Sequence, residues 1–403
     1  MKYKMIWVLL LPLLCCTQGW TQGQPKKVET DFSIELGLNL LGFFQDGSYP
    51  SQKVIYPSLS LRPKFSLNWT AHNGRLSFEG FGRYDINGNS RTHLDIRELY
   101  YQTYQGNWEL NVGVKRLYWG KLETIKLVDV INQVDFLEGI DGEEKLGQLL
   151  VEVVYASNFG NFSFFALPHS RRIAFGNAAG RPRTPMVIED RQVSFQSSHE
   201  MWHPTLALRW SHYLGNADLG VHYFYGNARE PLIQFAPDGD FGLQYPIAHQ
   251  LGIDFQIILS NTLIKLEALY RAGDFAPLDN IIAVAGGIEY TFGNVNDKGL
   301  DIGLLGEYIY DNRRELTFSS LDNDLFLGSR ITLNNEAGTE LILGAFKDLQ
   351  RSSLIGRIEM SQRVFKDSKI SLESQFFVKI DPTEFVYLFR RDSNLAIEWI
   401  RYF

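Results

Sequence analysis

Leu251-Gly-Ile-Asp-Phe-Gln-Ile-Ile-Leu-Ser-Asn-Thr-Leu-Ile-Lys-Leu-Glu-Ala-Leu-Tyr-Arg271 holds the unit from which most of this chain is built. Leu251, Ile253, Phe255, Ile257 and Leu259 occupy alternate positions, Ser260-Asn-Thr262 turns the chain, and Lys265, Glu267 and Arg271 alternate with apolar neighbours on the way back. Successive side chains of a strand point to opposite faces, so this hairpin has one apolar face and one charged face. The apolar parity recurs at Phe32, Ile34, Leu36, Leu38 and Leu40, at Trp108, Leu110, Val112 and Val114, and at Ile302, Leu304, Tyr308 and Tyr310.

Alternation of this kind predicts eighteen strands, the first near 32–44 and the last near 392–403; sixteen is the alternative count. Connections after even-numbered strands are short and turn-like, as in Gln105-Gly-Asn, Leu214-Gly-Asn and Gly293-Asn-Val-Asn. Gly and Asn suit tight hairpins because those turns require positive φ. Connections after odd-numbered strands are longer, above all 117–147, 168–204 and 226–247. Short turns at one end and long loops at the other predict an all-β fold, a transmembrane antiparallel up-and-down β-barrel with periplasmic turns and extracellular loops. A soluble all-β chain also alternates. The membrane reading rests in addition on the leader, the aromatic content and the closing run Ala396-Ile-Glu-Trp-Ile-Arg-Tyr-Phe403, whose terminal aromatic resembles the insertion signal of bacterial outer-membrane proteins. Arg401 interrupts the parity of that run.

Aromatic residues make up 14% of the 403 residues, a content suited to girdles at two membrane interfaces. A formal charge of −7 argues against nucleic acid as a partner, which would require a basic face. Residues 1–23 read as a signal peptide: Lys2 and Lys4 precede the apolar run Met5 to Leu14, too short to span a bilayer as a helix. That leaves 24–403 as a single outer-membrane barrel domain in the envelope of a Gram-negative bacterium. Both cysteines, Cys15 and Cys16, fall in the leader, which excludes disulfides and thiol chemistry from the domain.

On the parity opposite the apolar face stand Lys265, Glu267, Glu289, Glu307, Arg330, Arg357, Glu359, Arg363 and Glu373. A Lys or Arg facing lipid at the midplane costs about 2–4 kcal/mol, so these charges are expected to face the lumen. Such charges either select solutes in a hydrated channel or pair across strands and brace the wall. Loop 168–204 is basic (Arg171, Arg172, Arg181, Arg183, Arg191), and loop 117–147 is acidic (Asp129, Asp135), with 125–137 able to form a short helix. Either the two fold inward and set a transverse field across a constriction, or they cap the barrel outside.

His199-Glu200-Met-Trp-His203 matches H-E-x-x-H, the zinc-protease pattern, which works only on a helix where both histidines share a face. Pro204 and a strand-like run follow at once, and only His169 or His212 is left as a third ligand. The match therefore reads as coincidence, and neither an enzyme, a metal nor a cofactor is expected; an outer-membrane hydrolase is the remote alternative.

Val112-Gly-Val-Lys-Arg-Leu-Tyr-Trp-Gly120, followed by Val130-Ile-Asn-Gln-Val-Asp135, resembles a pattern of porin-like outer-membrane barrels, a broad group that includes alginate-export-like and substrate-selective members. The resemblance implies a channel for passive passage of small hydrophilic, in part charged, solutes, with outer-membrane lipid around it. The alternative is a loop-plugged barrel serving surface-polymer export or partner docking. A periplasmic partner and a homo-oligomer both stay open.

Overall fold

A computed structural model of the chain describes residues 28–70, 73–88, 91–139, 142–183, 187–188, 192–235, 241–275, 278–313 and 321–403. Residues 1–23, the expected leader, lie outside the described residues. The strands run β1 (Val28–Phe43), β2 (Ile55–Trp69), β3 (Gly74–Asp85), β4 (His93–Gln105), β5 (Trp108–Lys115), β6 (Gln148–Ser157), β7 (Gly160–Leu167), β8 (Val193–Phe195), β9 (Thr205–Leu214), β10 (Ala217–Asn227), β11 (Leu232–Phe235) and β12 (Phe241–Tyr245). They continue with β13 (Ile247–Leu259), β14 (Thr262–Phe275), β15 (Leu278–Phe292), β16 (Leu300–Asp311), β17 (Asn323–Leu333), β18 (Thr339–Asp348), β19 (Leu354–Val364), β20 (Ser368–Lys379) and β21 (Asn394–Tyr402). All but β8, β11 and β12 belong to one 18-stranded antiparallel sheet. The first strand pairs with the last, from Glu35↔Tyr402 to Phe43↔Asn394, which closes the cylinder and leaves no edge.

Each of the eighteen expected strands is present. The remaining three form a small separate sheet between the loops that follow β7 and β10, with β11 antiparallel and β8 parallel to β12. Short turns have the expected chemistry: Gly106 and Gly215 sit at φ +59° and +66°, where a Cβ would meet nothing, so backbone handedness alone favours glycine there. Arg401 does not enter the apolar belt. Its guanidinium reaches Asp367 of the last short turn at 3.3 Å, at the end of the barrel that carries the short turns.

Phe32, Leu251 and Leu304 stand 66%, 54% and 53% exposed, whereas Lys265, Glu267, Arg271 and Glu307 are buried inside. The pleat assignment made from charge parity is therefore the one observed. The interior is not uniformly ionic, however. Ala285, Leu305, Ile309, Phe326 and Phe346 lie on the same inward parity and form one dry cluster with Leu122 of loop 117–147 and Phe389 of the last long connection. Trp119, Val128, Val130 and Ile131 of the same loop pack on Leu150, Phe165, Ala207 and Phe224 of the opposite wall. A single loop thus touches inner walls on both sides of the lumen.

Candidate functional site: the loop across the lumen

Two strand carboxylates hold loop 117–147 in place. Glu267 on β14 accepts the backbone N–H groups of Lys121 (2.5 Å), Leu122 (3.0 Å) and Val128 (3.3 Å). Glu307 on β16 accepts those of Glu123 (2.7 Å) and Thr124 (2.9 Å), together with the Thr124 hydroxyl at 2.6 Å. Gly120 allows this close approach: its φ is +107°, and a Cβ there would lie 2.9 Å from a Glu267 oxygen. The Asn132 amide closes the base of the loop, donating to the Lys115 and Leu146 carbonyls while accepting from Leu117 N–H. These bonds correct the expectation of a helix over 125–137. The segment is a chain of turns because its neighbouring donors go to wall carboxylates, and its own groups bridge Val134 to Lys145 instead of closing helical turns.

Ion pairs extend the attachment. Glu123 takes Arg330 at 2.6 Å; Arg330 also pairs with Glu340 and lies 3.4 Å from Glu289, which Lys265 approaches at 3.9 Å. Asp135 receives Arg97, a fully buried cation, and the His93 ring at 3.3 Å. Burial works to raise the Asp135 carboxyl, but the His93 hydrogen bond and the Arg97 charge hold it well down, at about 2. Asp129 is pushed up by burial, against the pull of Lys145 at 3.7 Å. Glu138 binds Arg83 at 2.7 Å, and Glu143 binds Arg357, which also pairs with Glu359. Arg363 and Glu373 are exposed on the inward parity of β19 and β20.

Two placements stand open for the basic loop, inward or capping, and its arginines Arg181 and Arg183 lie at the outer end. Arg181 is buried at the outer end, where Nε donates to Asp392 at 2.7 Å, Nη1 to the carbonyls of Gln45 (2.9 Å) and Lys53 (3.2 Å), and Nη2 to that of Arg391 (2.7 Å). It stacks on Phe43 at 4.0 Å, and Arg183 lies over Tyr49 at 3.8 Å. Arg171 pairs with Asp95 at 2.7 Å, and Arg172 lines a cavity beside it. Arg191 lies outside the described residues. The described part of loop 168–204 therefore lies at the mouth, and the acids of loop 117–147 pair with strand cations: Glu138 with Arg83, Asp135 with Arg97, Glu123 with Arg330 and Glu143 with Arg357.

The H-E-x-x-H segment forms a 3₁₀ turn over Glu200–Trp202, not an α-helix, and His203 Nδ1 meets the Ser197 hydroxyl at 3.0 Å. Among the described residues, metal-like spacing occurs at Asp322, Asp324 and Asp348, where Arg351 supplies a cation at 2.9 Å from Asp322 and 3.2 Å from Asp348. The apolar inward patch and Arg97 were not anticipated. The patch had a readable signal, since Leu304, Leu305, Tyr308 and Ile309 are apolar on both parities, the pattern of a strand covered on both faces.

By sequence, the chain matches no protein-family model and no curated protein. Among solved structures it is similar to OccK11 (OpdR) of Pseudomonas aeruginosa, at 11% identity over 93% of this chain and 94% of that one, with a TM-score of 0.51. It is also similar to Wzi of Escherichia coli, an outer-membrane protein involved in group 1 capsule assembly and a carbohydrate-binding β-barrel, at 11% identity over 93% and 84%, with a TM-score of 0.52. At such identity the shared property is the fold: the chain is a closed antiparallel β-barrel of eighteen strands, the architecture of these outer-membrane barrels.

Proposed function

We propose that this barrel is a channel for small hydrophilic solutes, reduced by loop 117–147 from a wide cylinder to a narrow ion-lined passage. The observation that carries this reading is the seating of that loop on Glu267 and Glu307. Eighteen strands enclose a wide lumen, and a loop fastened to β14 and β16 and packed on β6, β7, β9 and β10 crosses it. Fixed charges of both signs at the remaining wall (Arg62, Lys64, Glu359, Glu373) set preference among charged solutes, and passage down a gradient needs no reaction or cofactor.

The second reading is a barrel closed at its outer end that docks a surface polymer. It is favoured by the cap, where Arg181 joins three outer connections, and by the likeness to Wzi, described as binding carbohydrate and serving capsule assembly. Planar-bilayer recording separates the two. A channel gives small, charge-selective unitary currents that grow severalfold when residues 120–128 are replaced by a short Gly-Ser linker. Silence from both proteins contradicts the channel and favours docking. A large unselective current from the unaltered protein contradicts the narrowing.

A further inference from the structure

Independent of whether the barrel conducts, and resting only on its standing in an outer membrane, the lipid face beside the closing seam carries a groove of about 410 Å³. Its sides are Leu38 and Leu40 of β1, Pro57 and Leu59 of β2, and Ile397 and Trp399 of β21. The register sets these side by side, with Leu38 opposite Leu59 and Trp399, and Leu40 opposite Pro57 and Ile397. The next outward position of β1 towards the outer end is Gly42, between Ile55 and Leu395. A Cβ there would meet only the Leu395 carbonyl, at 3.8 Å. The missing side chain leaves the lipid face bare between the groove and the outer rim.

Above that end of the groove stand the connections 44–54 and 380–393, which carry β1 into β2 and β20 into β21. The Arg181 guanidinium binds the carbonyls of Lys53 (3.2 Å) and Arg391 (2.7 Å), which fixes these two backbones beside each other. Their side chains are exposed, as is that of Arg390 over the Tyr387 ring at 4.1 Å, and neither Lys53 nor Arg391 forms an ion pair among the described residues. Of the acids in these connections, Asp392 is taken by Arg181, Glu384 is buried against Ser353 and Asp381 bonds Thr383. Asp46 remains as one exposed acid against three exposed cations. Lys53 precedes Pro57 of the groove by at most about 13 Å of extended chain.

We propose that this face holds a phosphorylated, acylated lipid of the outer leaflet, with one acyl chain in the groove and a phosphate at Lys53, Arg390 and Arg391. Among lipid tails an apolar groove has no hydrophobic preference, so shape holds the chain and charge selects the lipid. A second copy seated here would stand in the same orientation and bring these cations onto their own counterparts, which like-charge repulsion opposes. The test is native mass spectrometry of the full-length protein in detergent, titrated with diphosphoryl lipid A. One lipid should be retained per chain, and dioleoylglycerol, which has chains but no phosphate, should be retained at least about tenfold more weakly. Lys53→Gln combined with Arg391→Gln should weaken lipid A at least about tenfold, while the two carbonyls still hold Arg181. Gly42→Phe should weaken it as much with every cation in place, by filling the bare strip below the rim. Both proteins should keep the heat-modifiable gel mobility of the barrel. Equal retention in all three proteins, or dioleoylglycerol held as tightly as lipid A, overturns the assignment. Weakening in the charge variant but not in Gly42→Phe overturns the placing of the chain. A detergent-stable dimer that Gly42→Phe abolishes, with no lipid retained, gives the face to a second copy instead.

Discussion

Glu267 concentrates the account in one side chain. Fully buried and bonded to three loop N–H groups, it cannot be replaced without stranding donors, each costing about 1–3 kcal/mol. Glu267→Ala should lower the stability of the loop by about 3 kcal/mol or more, seen as faster amide exchange over 120–128 with exchange in β14 unchanged. Unchanged protection over 120–128 contradicts that role. Glu384 offers a pH test at the same scale. Burial raises its carboxyl to about 7, with Asp348 adding to the rise and the Ser353 hydroxyl opposing it. A raised acid binds a proton in the fold that the free chain has lost, so its contribution is complete below about 4.5 and fades as pH rises through 7. Protection of the connection 380–393 should therefore weaken between pH 5 and 8, and Glu384→Gln should remove that dependence. Asp135 has the opposite sign: held at about 2, its contacts contribute at neutral pH and are lost only as pH falls from about 4 towards 2.

Elements show where the sequence was sufficient and where it was not. Strands such as β13 and β14 were legible because lipid demands apolar side chains on one parity and tolerates few charges there, so the pattern is enforced residue by residue. Nothing comparable constrains a loop. The acidic character of 117–147 was visible, but its path depends on Glu267 and Glu307, strand residues more than 130 positions away by their own numbers, and on Gly120 permitting close approach. Arg181 shows the same limit: its sequence left constriction and cap both open, and it is a pin in the cap, held by carbonyl partners that carry no sequence signature. Removing that pin leaves Asp392 buried without its cation, a change costing about 3–5 kcal/mol. Arg181→Gln should make loop 168–204 cleavable by protease on intact cells while the barrel itself stays resistant. Equal resistance of both proteins contradicts the pin.

At the scale of the whole molecule, two surfaces face different solvents. The outer belt, with Phe32, Leu251 and Leu304 exposed, satisfies lipid, and the inner surface divides into dry packing around one loop and an ionic remainder on β18–β21 and β1–β3. The hydrogen-bonded seam from Glu35↔Tyr402 to Phe43↔Asn394 makes the wall continuous, so loop motion leaves the cylinder intact. Conduction and stability are thereby separable: variants at Glu267, Glu307 or Glu143 should alter currents with little change in the melting of the barrel. The most direct test of a loop crossing the lumen is cross-linking of Glu143→Cys with Arg357→Cys in outer membranes by a short bifunctional thiosulfonate, the native Cys15 and Cys16 falling in the expected leader. The ion pair between these two side chains predicts rapid, near-complete linkage and a shifted mobility of the denatured chain. Both cysteines reacting singly with the reagent, with no linked species, would place the loop outside the barrel and contradict the account.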